Sequence, residues 1–220
     1  MLRNKILLLK EKITEMATLV EDMLEEAKAG LLNKDGNLLK TVIEKKEPVV
    51  NSMEVEIDEF CTEIIALYEP KASDLRFVLT ALKMNNDLER IADHAVNISE
   101  SGLFLIERPQ VKPLIDIPRM ADEAISMIKD SIMAFLQGDA KLAREVLQRD
   151  DVVDSLRDQI IRELLTYMAS DPSTIERSLE LIRIAHNLER AADLATNLSE
   201  DVIFMVEGKI IKHGFGEDGE

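Results

Sequence analysis

Apolar residues recur at three- and four-residue steps through most of the chain. Leu75, Val78, Leu79, Leu82 and Leu88 follow these steps in the first half, and Leu179, Ile182, Ala185, Leu188 and Ala192 follow them in the second. This period predicts amphipathic helices that each bury one face. Several of the predicted helices are long, which is typical of helical bundles.

Turn-forming residues divide each half into three predicted helices. In the first half, the segment GLLNKDG (30–36) interrupts one helix, Pro70 ends a second, and a third runs from about Ser73 to Glu107. A proline disfavours the helical conformation in the residue before it, so Pro70 is a clear stop signal. Pro48 falls inside the second predicted helix, where it should kink the helix or mark its first turn.

Turns in similar positions organise the second half. Residues 137–139 (QGD) and 171–173 (DPS) separate its three helices, with Asp171 predicted as an N-cap and Pro172 as the first helical residue. The proline-containing segment 109–118 is the predicted linker between the halves. We therefore expect three-helix units at 1–108 and 119–208, followed by a flexible tail at 209–220.

An internal repeat supports this division. Residues 87–100 (DLERIADHAVNISE) and 187–200 (NLERAADLATNLSE) are identical at nine of fourteen positions without gaps. Further upstream, VVNS at 49–52 matches VVDS at 152–155, and Gly36 is matched with Gly138. A repeat of this length predicts the architecture more strongly than local propensity does. The predicted fold class is all-α, with two tandem three-helix bundles.

The composition of the chain argues against several classes of function and fold. The formal net charge is −16, which argues against nucleic-acid binding because phosphate contacts require a basic surface. Aromatic residues make up only 4% of the chain, which disfavours a β-rich fold. Cys61 is the only cysteine, so the chain cannot form an internal disulfide, and no apolar run is long enough for a signal peptide or a membrane span. We expect a cytoplasmic protein that meets a membrane only indirectly.

The repeated block carries acidic residues at four-residue spacing. Four residues advance a helix by roughly 400° and about 6 Å, so side chains at this spacing form one stripe. The preceding helix of each half has the same spacing, and consecutive helices joined by a short turn lie side by side. The stripes consist of Glu47, Asn51, Glu89, Asp93 and Asn97 in the first half, and Asp150, Asp154, Glu189, Asp193 and Asn197 in the second.

The sequence alone allows two interpretations of these stripes. Facing carboxylate and amide oxygens are suitable ligands for Mg, Mn, Fe, Ca or Zn ions, with the metal not fixed by the sequence. Alternatively, the stripes are solvated, or pair with Arg90 and Arg190. A single Glu-x-x-x-Asp is a weak signal, but its retention in both copies makes metal binding as strong an interpretation as a solvated face.

No motif indicates catalysis. A carboxylate-bridged di-iron redox enzyme is an alternative function, but its Glu-x-x-His signature is absent, since Glu89 and His94 are five residues apart. Phosphate-binding loops and nucleophile elbows are also absent. A purely structural helical scaffold is the other alternative.

The segments PKASDLRFVLTALKMNNDLERIADHAVNISE and LIRIAHNLERAADLATNLSE resemble the PhoU family of phosphate-transport regulators. The likeness extends over essentially the whole chain and includes the pattern ERxADxAxN in both halves. It implies two three-helix bundles related by pseudo-two-fold symmetry. It also implies E/D-x-x-x-D motifs that hold metal ions, often as multinuclear clusters, with Glu100 and Glu200 as outer ligands.

The resemblance also implies a role and partners. PhoU proteins dampen phosphate uptake and phosphate-starvation signalling through contacts with the phosphate transporter ATPase and a sensor histidine kinase, without catalysis. An exposed bundle face could support a homodimer. Asn51 stands where the family motif has Asp, so we expect the first metal site to be the weaker one.

Overall fold

A computed structural model describes residues 1–209 as an almost wholly helical chain, which confirms the predicted fold class. The predicted tail at 209–220 lies outside the described residues except for its first position. The α-helices are α1 (Leu2–Asn33), α2 (Gly36–Thr41), α3 (Glu47–Tyr68), α4 (Ser73–Ile106), α5 (Asp116–Gln137), α6 (Ala140–Leu147), α7 (Asp150–Ser170) and α8 (Ile175–Glu207).

The middle helix of each repeat is divided in two. In the first repeat a π-helical turn (Val42–Lys46) joins α2 to α3, and the Glu47 N–H bonds to the carbonyl of Val42, five residues earlier. Pro48 lies in the first turn of α3, as the second alternative for it predicted. Since proline has no N–H and crowds the preceding turn, a widened turn accommodates it. In the second repeat, α6 and α7 are separated at Gln148 and Arg149.

The turns between the first and middle helices are alike in both repeats. Asp35 and Asp139 are the N-caps of α2 and α6, and each side chain accepts two backbone N–H bonds from the next turn. The residue before each cap is left-handed: Lys34 with φ 55° and Gly138 with φ 66°. The structural counterpart of Gly138 is therefore Lys34, and the match of Gly36 with Gly138 was wrong by two positions.

The two repeats pack against each other chiefly through α4 and α8. Arg76 Nε donates to the Met205 carbonyl at 3.1 Å, and His94 Nδ1 lies 2.9 Å from Asn187 Oδ1. As the α4 partner advances, the α8 partner recedes, so the helices are antiparallel. The same helix of each repeat thus packs on its own counterpart, as the pseudo-two-fold arrangement requires.

The first helices of the repeats also meet in antiparallel fashion. Lys10 Nζ donates to the Leu136 carbonyl at 3.2 Å, and Lys28 Nζ donates to Asp122 at 2.8 Å. The helices α1, α4, α5 and α8 therefore form the shared centre of the molecule. The middle helices flank it: α3 packs on α1 and α4, and α7 packs on α5 and α8.

A continuous core fills the space between these helices. Met84, Leu88 and Ile91 of α4 are fully buried, as are Ala185 and Ala191 of α8. Burial of a side chain of leucine size stabilises a fold by about 1.5–3 kcal/mol. Both long helices therefore contribute side chains to the core.

The connection between the repeats is shorter than the predicted linker at 109–118. Helix α4 ends at Ile106 and α5 begins at Asp116, which places Pro118 in the first turn of α5. A proline is tolerated there because the first N–H groups of a helix have no partner within it. Lys112 anchors the connection, since its buried ammonium pairs with Glu163 of α7 and lies 3.8 Å from Asp116.

Two further predictions concern single features. Cys61 is fully buried, as expected, and this burial raises the pKa of its thiol to about 12. Between residues 1 and 209, none of the helices combines the length and the apolar character needed to span a membrane.

Candidate metal centre

The acidic residues of the first repeat come together where α3 packs on α4. Glu47 lies where the π-helical turn passes into α3, and its side chain is half-buried. One turn later, Asn51 Nδ2 donates to Glu47 Oε1 at 2.6 Å. On α4, burial raises the pKa of Glu89, and the nearby charges of Asp93, Glu54 and Glu47 raise it further. The two stripes of this repeat therefore face each other.

The second repeat has the same arrangement, and its carboxylates on α8 are more deeply buried than those on α4. Asp150 is the first residue of α7, and burial followed by the charges of Asp154, Asp151 and Glu189 raises its pKa. On α8, burial, followed by the charges of Glu189 and Asp150, raises the pKa of Asp193. Besides burial, the charge of Glu189 acts on Asp150 and that of Asp150 acts on Asp193, so like charges face each other across the α7–α8 contact.

A guanidinium lies among these carboxylates. Arg157 Nη1 lies 2.9 Å from both Asp154 Oδ1 of α7 and Glu189 Oε1 of α8. Its Nε and Nη2 donate to Asp158 Oδ1 at 3.0 and 2.9 Å. The side chain of Arg157 is 21% exposed and that of Glu189 only 11%. Arg157 thus supplies positive charge inside the second acidic face and ties α7 to α8.

The arginines next to the glutamates differ between the repeats. Arg190 pairs with Asp193 at 3.3 Å and lies 3.6 Å from Glu189 Oε2, an oxygen that is buried without a hydrogen bond. Arg90, its counterpart, pairs instead with Asp87 at 3.3 Å. The arginine pairing predicted as the alternative to metal binding is therefore present in the second repeat, where it involves Asp193.

The predicted asparagine ligands lie farther along the helices. Asn197 of α8 lines a cleft formed with first-repeat residues, which include Glu54, Asp58 and Arg90. This follows from the antiparallel packing, because the end of α8 lies beside the first half of α4. Asn97 is half-buried, and of the predicted outer ligands Glu100 is exposed and Glu200 half-buried.

The ligand atoms on these faces are of the chemical type that binds a hard cation. They are carboxylate and amide oxygens, partly buried and mutually repulsive, and a cation would relieve that repulsion. Among the side chains of residues 1–209, however, no three of His, Cys, Asp and Glu are grouped closely enough to hold one ion. Coordination would require these side chains to turn toward a common point.

Two residues of these faces escaped the sequence prediction. Glu54 lies beside Glu89 in the first repeat, and Arg157 lies beside Glu189 in the second. Both are one turn beyond the motif positions, and the match of VVNS with VVDS places them at the same position of the repeat. Aligning the repeats one further turn would have revealed this reversal of charge.

Comparison with known proteins gives one consistent result. The PhoU domain matches the chain twice, over residues 13–102 and 117–202. A phosphate-specific transport system accessory protein PhoU homolog from Aquifex aeolicus is 40% identical over 204 residues, or 93% of this chain and 92% of the relative. The PhoU accessory protein of Escherichia coli K12 is 34% identical over 210 residues, or 96% of this chain and 87% of its own.

Solved structures agree with these relatives. The crystal structure of PhoU from Pseudomonas aeruginosa matches with a TM-score of 0.91 and 33% identity, over 95% of this chain and all of that chain. The phosphate transport system regulatory protein PhoU from Streptococcus pneumoniae matches with a TM-score of 0.88 over 96% of this chain and all of its own. This second structure is 24% identical in sequence and supports the fold alone.

Proposed function

The chain belongs to the PhoU family, and we propose that it is a regulatory accessory protein of a phosphate-specific transport system. Its role is to dampen phosphate uptake and phosphate-starvation signalling when phosphate is plentiful. The observation that carries this proposal is the double match of the PhoU domain, which covers both three-helix repeats. Relatives named as accessory proteins of phosphate-specific transport match over nearly the full chain, which supports the same role.

Regulation of this kind acts through protein contacts. The expected partners are the transporter ATPase and a sensor histidine kinase, as the family resemblance implies. With a net charge of −16, the chain would favour basic partner surfaces and associate faster with them at low salt. Self-association as a homodimer is part of the same proposal and is tested by sedimentation of the full chain.

Metal binding at the acidic faces is the second part of the proposal. In the first repeat, the ligands would be Glu47, Glu89 and Asp93, with Asn51 and Glu54 beside them. In the second repeat, they would be Asp150, Asp154, Glu189 and Asp193. Asn97 in the first repeat and Asn197 in the second lie farther along the helices. A divalent or trivalent cation supplies positive charge that offsets the repulsion between the facing carboxylates.

The surroundings of Glu89 support a cation in the first repeat. Burial raises its pKa, and the charges of Asp93 on α4 and of Glu54 and Glu47 on α3 raise it further. A cation held there would fasten α3 to α4. Such a link would stabilise the outer helix of the repeat and keep its exposed surface in one arrangement for a partner. Metal content would then act on regulation through the shape of that surface.

Deletion of the gene in its source organism tests the regulatory role. We expect phosphate uptake to rise and starvation reporters to switch on at high phosphate, and the wild-type gene should reverse both effects. Unchanged uptake and unchanged reporters in the deletion strain would contradict the proposal.

Metal analysis tests the second part. Protein purified without chelator should retain metal, and Glu89→Gln with Asp93→Asn should lower the retained amount. Glu145→Gln, a change at an exposed residue of α6, is the matched control and should leave the metal content unchanged. A metal-free wild type with full regulatory activity would identify the acidic faces as solvated scaffold surfaces.

A further inference from the structure

The two acidic faces differ in one position that reverses charge. The match of Glu47 with Asp150 and of Asn51 with Asp154 places Glu54 opposite Arg157 in the repeat. In the first repeat, Glu54 adds negative charge beside Glu89. In the second repeat, the same position supplies a guanidinium to Glu189.

We propose that Arg157 is the resident cation of the second repeat, so that tight metal binding is confined to the first repeat. This inference rests on the proposed metal binding of the family faces and assigns it to one of them. It reverses the expectation from Asn51, under which the first site was the weaker.

The contacts of Arg157 carry the proposal. One guanidinium nitrogen bridges Asp154 of α7 and Glu189 of α8, each at 2.9 Å, and so occupies two of the carboxylates that would hold a metal ion in this repeat. Two further bonds to Asp158 hold the group from the side of α7. Four charge-assisted contacts on a planar guanidinium fix it firmly in place. A metal ion in this repeat must displace it.

The ion pairs of the two faces point the same way. In the second repeat, Arg157 pairs with Asp154, Asp158 and Glu189, and Arg190 pairs with Asp193. In the first repeat, Arg90 pairs with Asp87, and its charge acts on Glu89 only from a distance. Among residues 1–209, the first face therefore holds no guanidinium that bridges its two helices and that an added cation would have to displace.

Titration of the full chain, stripped with chelator and then dialysed, with Mn²⁺ tests the proposal. The electron paramagnetic resonance signal of free Mn²⁺ counts the tight sites. We expect Glu89→Gln with Asp93→Asn to remove the tight site and Glu189→Gln with Asp193→Asn to leave it. Because two bridging charge-assisted bonds must break, the second repeat should bind Mn²⁺ at least about tenfold more weakly.

Exchange of the two residues provides the decisive variants. Arg157→Glu, which installs the first-repeat residue, should create a second tight site that Glu189→Gln with Asp193→Asn then removes. Glu54→Arg should weaken the first site by at least about tenfold, whereas Glu54→Gln should weaken it less. Arg157→Gln keeps the side-chain length and is the second variant if Arg157→Glu does not fold.

The outcomes separate the two proposals. Equal Mn²⁺ affinity of both repeats in the wild type, or no gain at the second repeat in either Arg157 variant, would overturn the assignment of Arg157 while leaving metal binding intact. No Mn²⁺ binding to the wild type or to any Arg157 variant would overturn both. A new second-repeat site in Arg157→Glu, absent from the wild type, is the supporting result.

Discussion

Lys83 of α4 donates a hydrogen bond to Asp201 of α8 at 2.9 Å, across the contact between the two repeats. The Asp201 side chain is almost fully buried, whereas that of Lys83 is half-exposed. A buried carboxylate is costly unless it is paired, so this ion pair contributes to the packing of one repeat on the other.

Lys83→Met should therefore destabilise the fold. The methionine keeps the aliphatic contacts of the lysine but withdraws its charge from Asp201. A lost hydrogen bond to a charged group costs about 1.5–3 kcal/mol, and the exposure of Lys83 places the effect near the lower value. Urea denaturation measures the free energy of unfolding. Lys141→Met removes an exposed pair with Glu145 and should change it by less than about 0.5 kcal/mol.

Lys112→Met should have a larger effect. Lys112 is buried, and its loss leaves Asp116, also buried, with Arg119 at 3.5 Å as the remaining cation. Removal of one member of a buried pair costs about 3–5 kcal/mol, and the partial exposure of Glu163 favours the lower figure. Differential scanning calorimetry measures the loss. A melting temperature within one degree of the wild type would show that the connection is not anchored through this ammonium.

Gly30→Ala should destabilise the first repeat although alanine favours helices. A Cβ at Gly30 would lie 2.7 Å from two side-chain carbons of Leu39, which is fully buried. Overpacking of this kind costs about 1–3 kcal/mol, which exceeds the helix-propensity gain of about 1 kcal/mol.

The same change in a Leu39→Ala background isolates the cause. There the clash with Leu39 is gone and the Asp35 carbonyl oxygen, at 3.2 Å, is the remaining close neighbour, so Gly30→Ala should cost clearly less. Denaturation of the four proteins of this cycle gives the coupling energy. Equal costs of Gly30→Ala in both backgrounds would rule out the contact with Leu39 as the reason for a glycine.

Asp193→Asn should stabilise the metal-free protein at neutral pH. The native pKa of Asp193 is raised by burial and by Glu189 and Asp150, so its ionisation opposes folding. Stability therefore falls as the pH rises through the raised native pKa, and acidification toward the ordinary carboxyl pKa restores it. Asp193→Asn removes the repulsion between Asp193 and Glu189, which should raise the free energy of unfolding by about 0.2–0.5 kcal/mol at pH 7.

Urea denaturation in chelator at pH 7, 5 and 4 measures this effect. The advantage of Asp193→Asn should shrink as the pH falls, since the wild-type carboxyl group then becomes neutral too. Glu145→Gln, at an exposed residue, is the control and should not show this dependence on pH. An advantage that grows on acidification would contradict the assigned direction of the pKa shift.

The sequence predicted the helices well because their period and turn residues are local signals. Pro70, the 171–173 turn and the repeated block each depend on neighbours in the chain, and the observed ends of α3, α7 and α4 follow from them. The linker was less well predicted because Pro118 suits either a connection or a first helical turn. Local chemistry does not distinguish these two positions.

The site was predictable only in part. Spacing placed Glu89, Asp93 and their counterparts on one face each, and the contact between consecutive helices brought the faces together. The orientation of α8 against α4 was not encoded in any local pattern, so the position of Asn197 in the same cleft as Glu54 could not be predicted. Arg157 was visible in the sequence, but its bridge between α7 and α8 depends on three-dimensional packing.

The packing of α4 on its own counterpart has an evolutionary consequence. The molecule has the arrangement of a two-fold symmetric dimer whose two subunits are joined in one polypeptide. In an unfused pair, any substitution would appear on both sides of the axis at once. Fusion removes that constraint, so one half can mutate while the other is preserved. Glu54 and Arg157 occupy the same position of the repeat, and two identical subunits could not differ at that position.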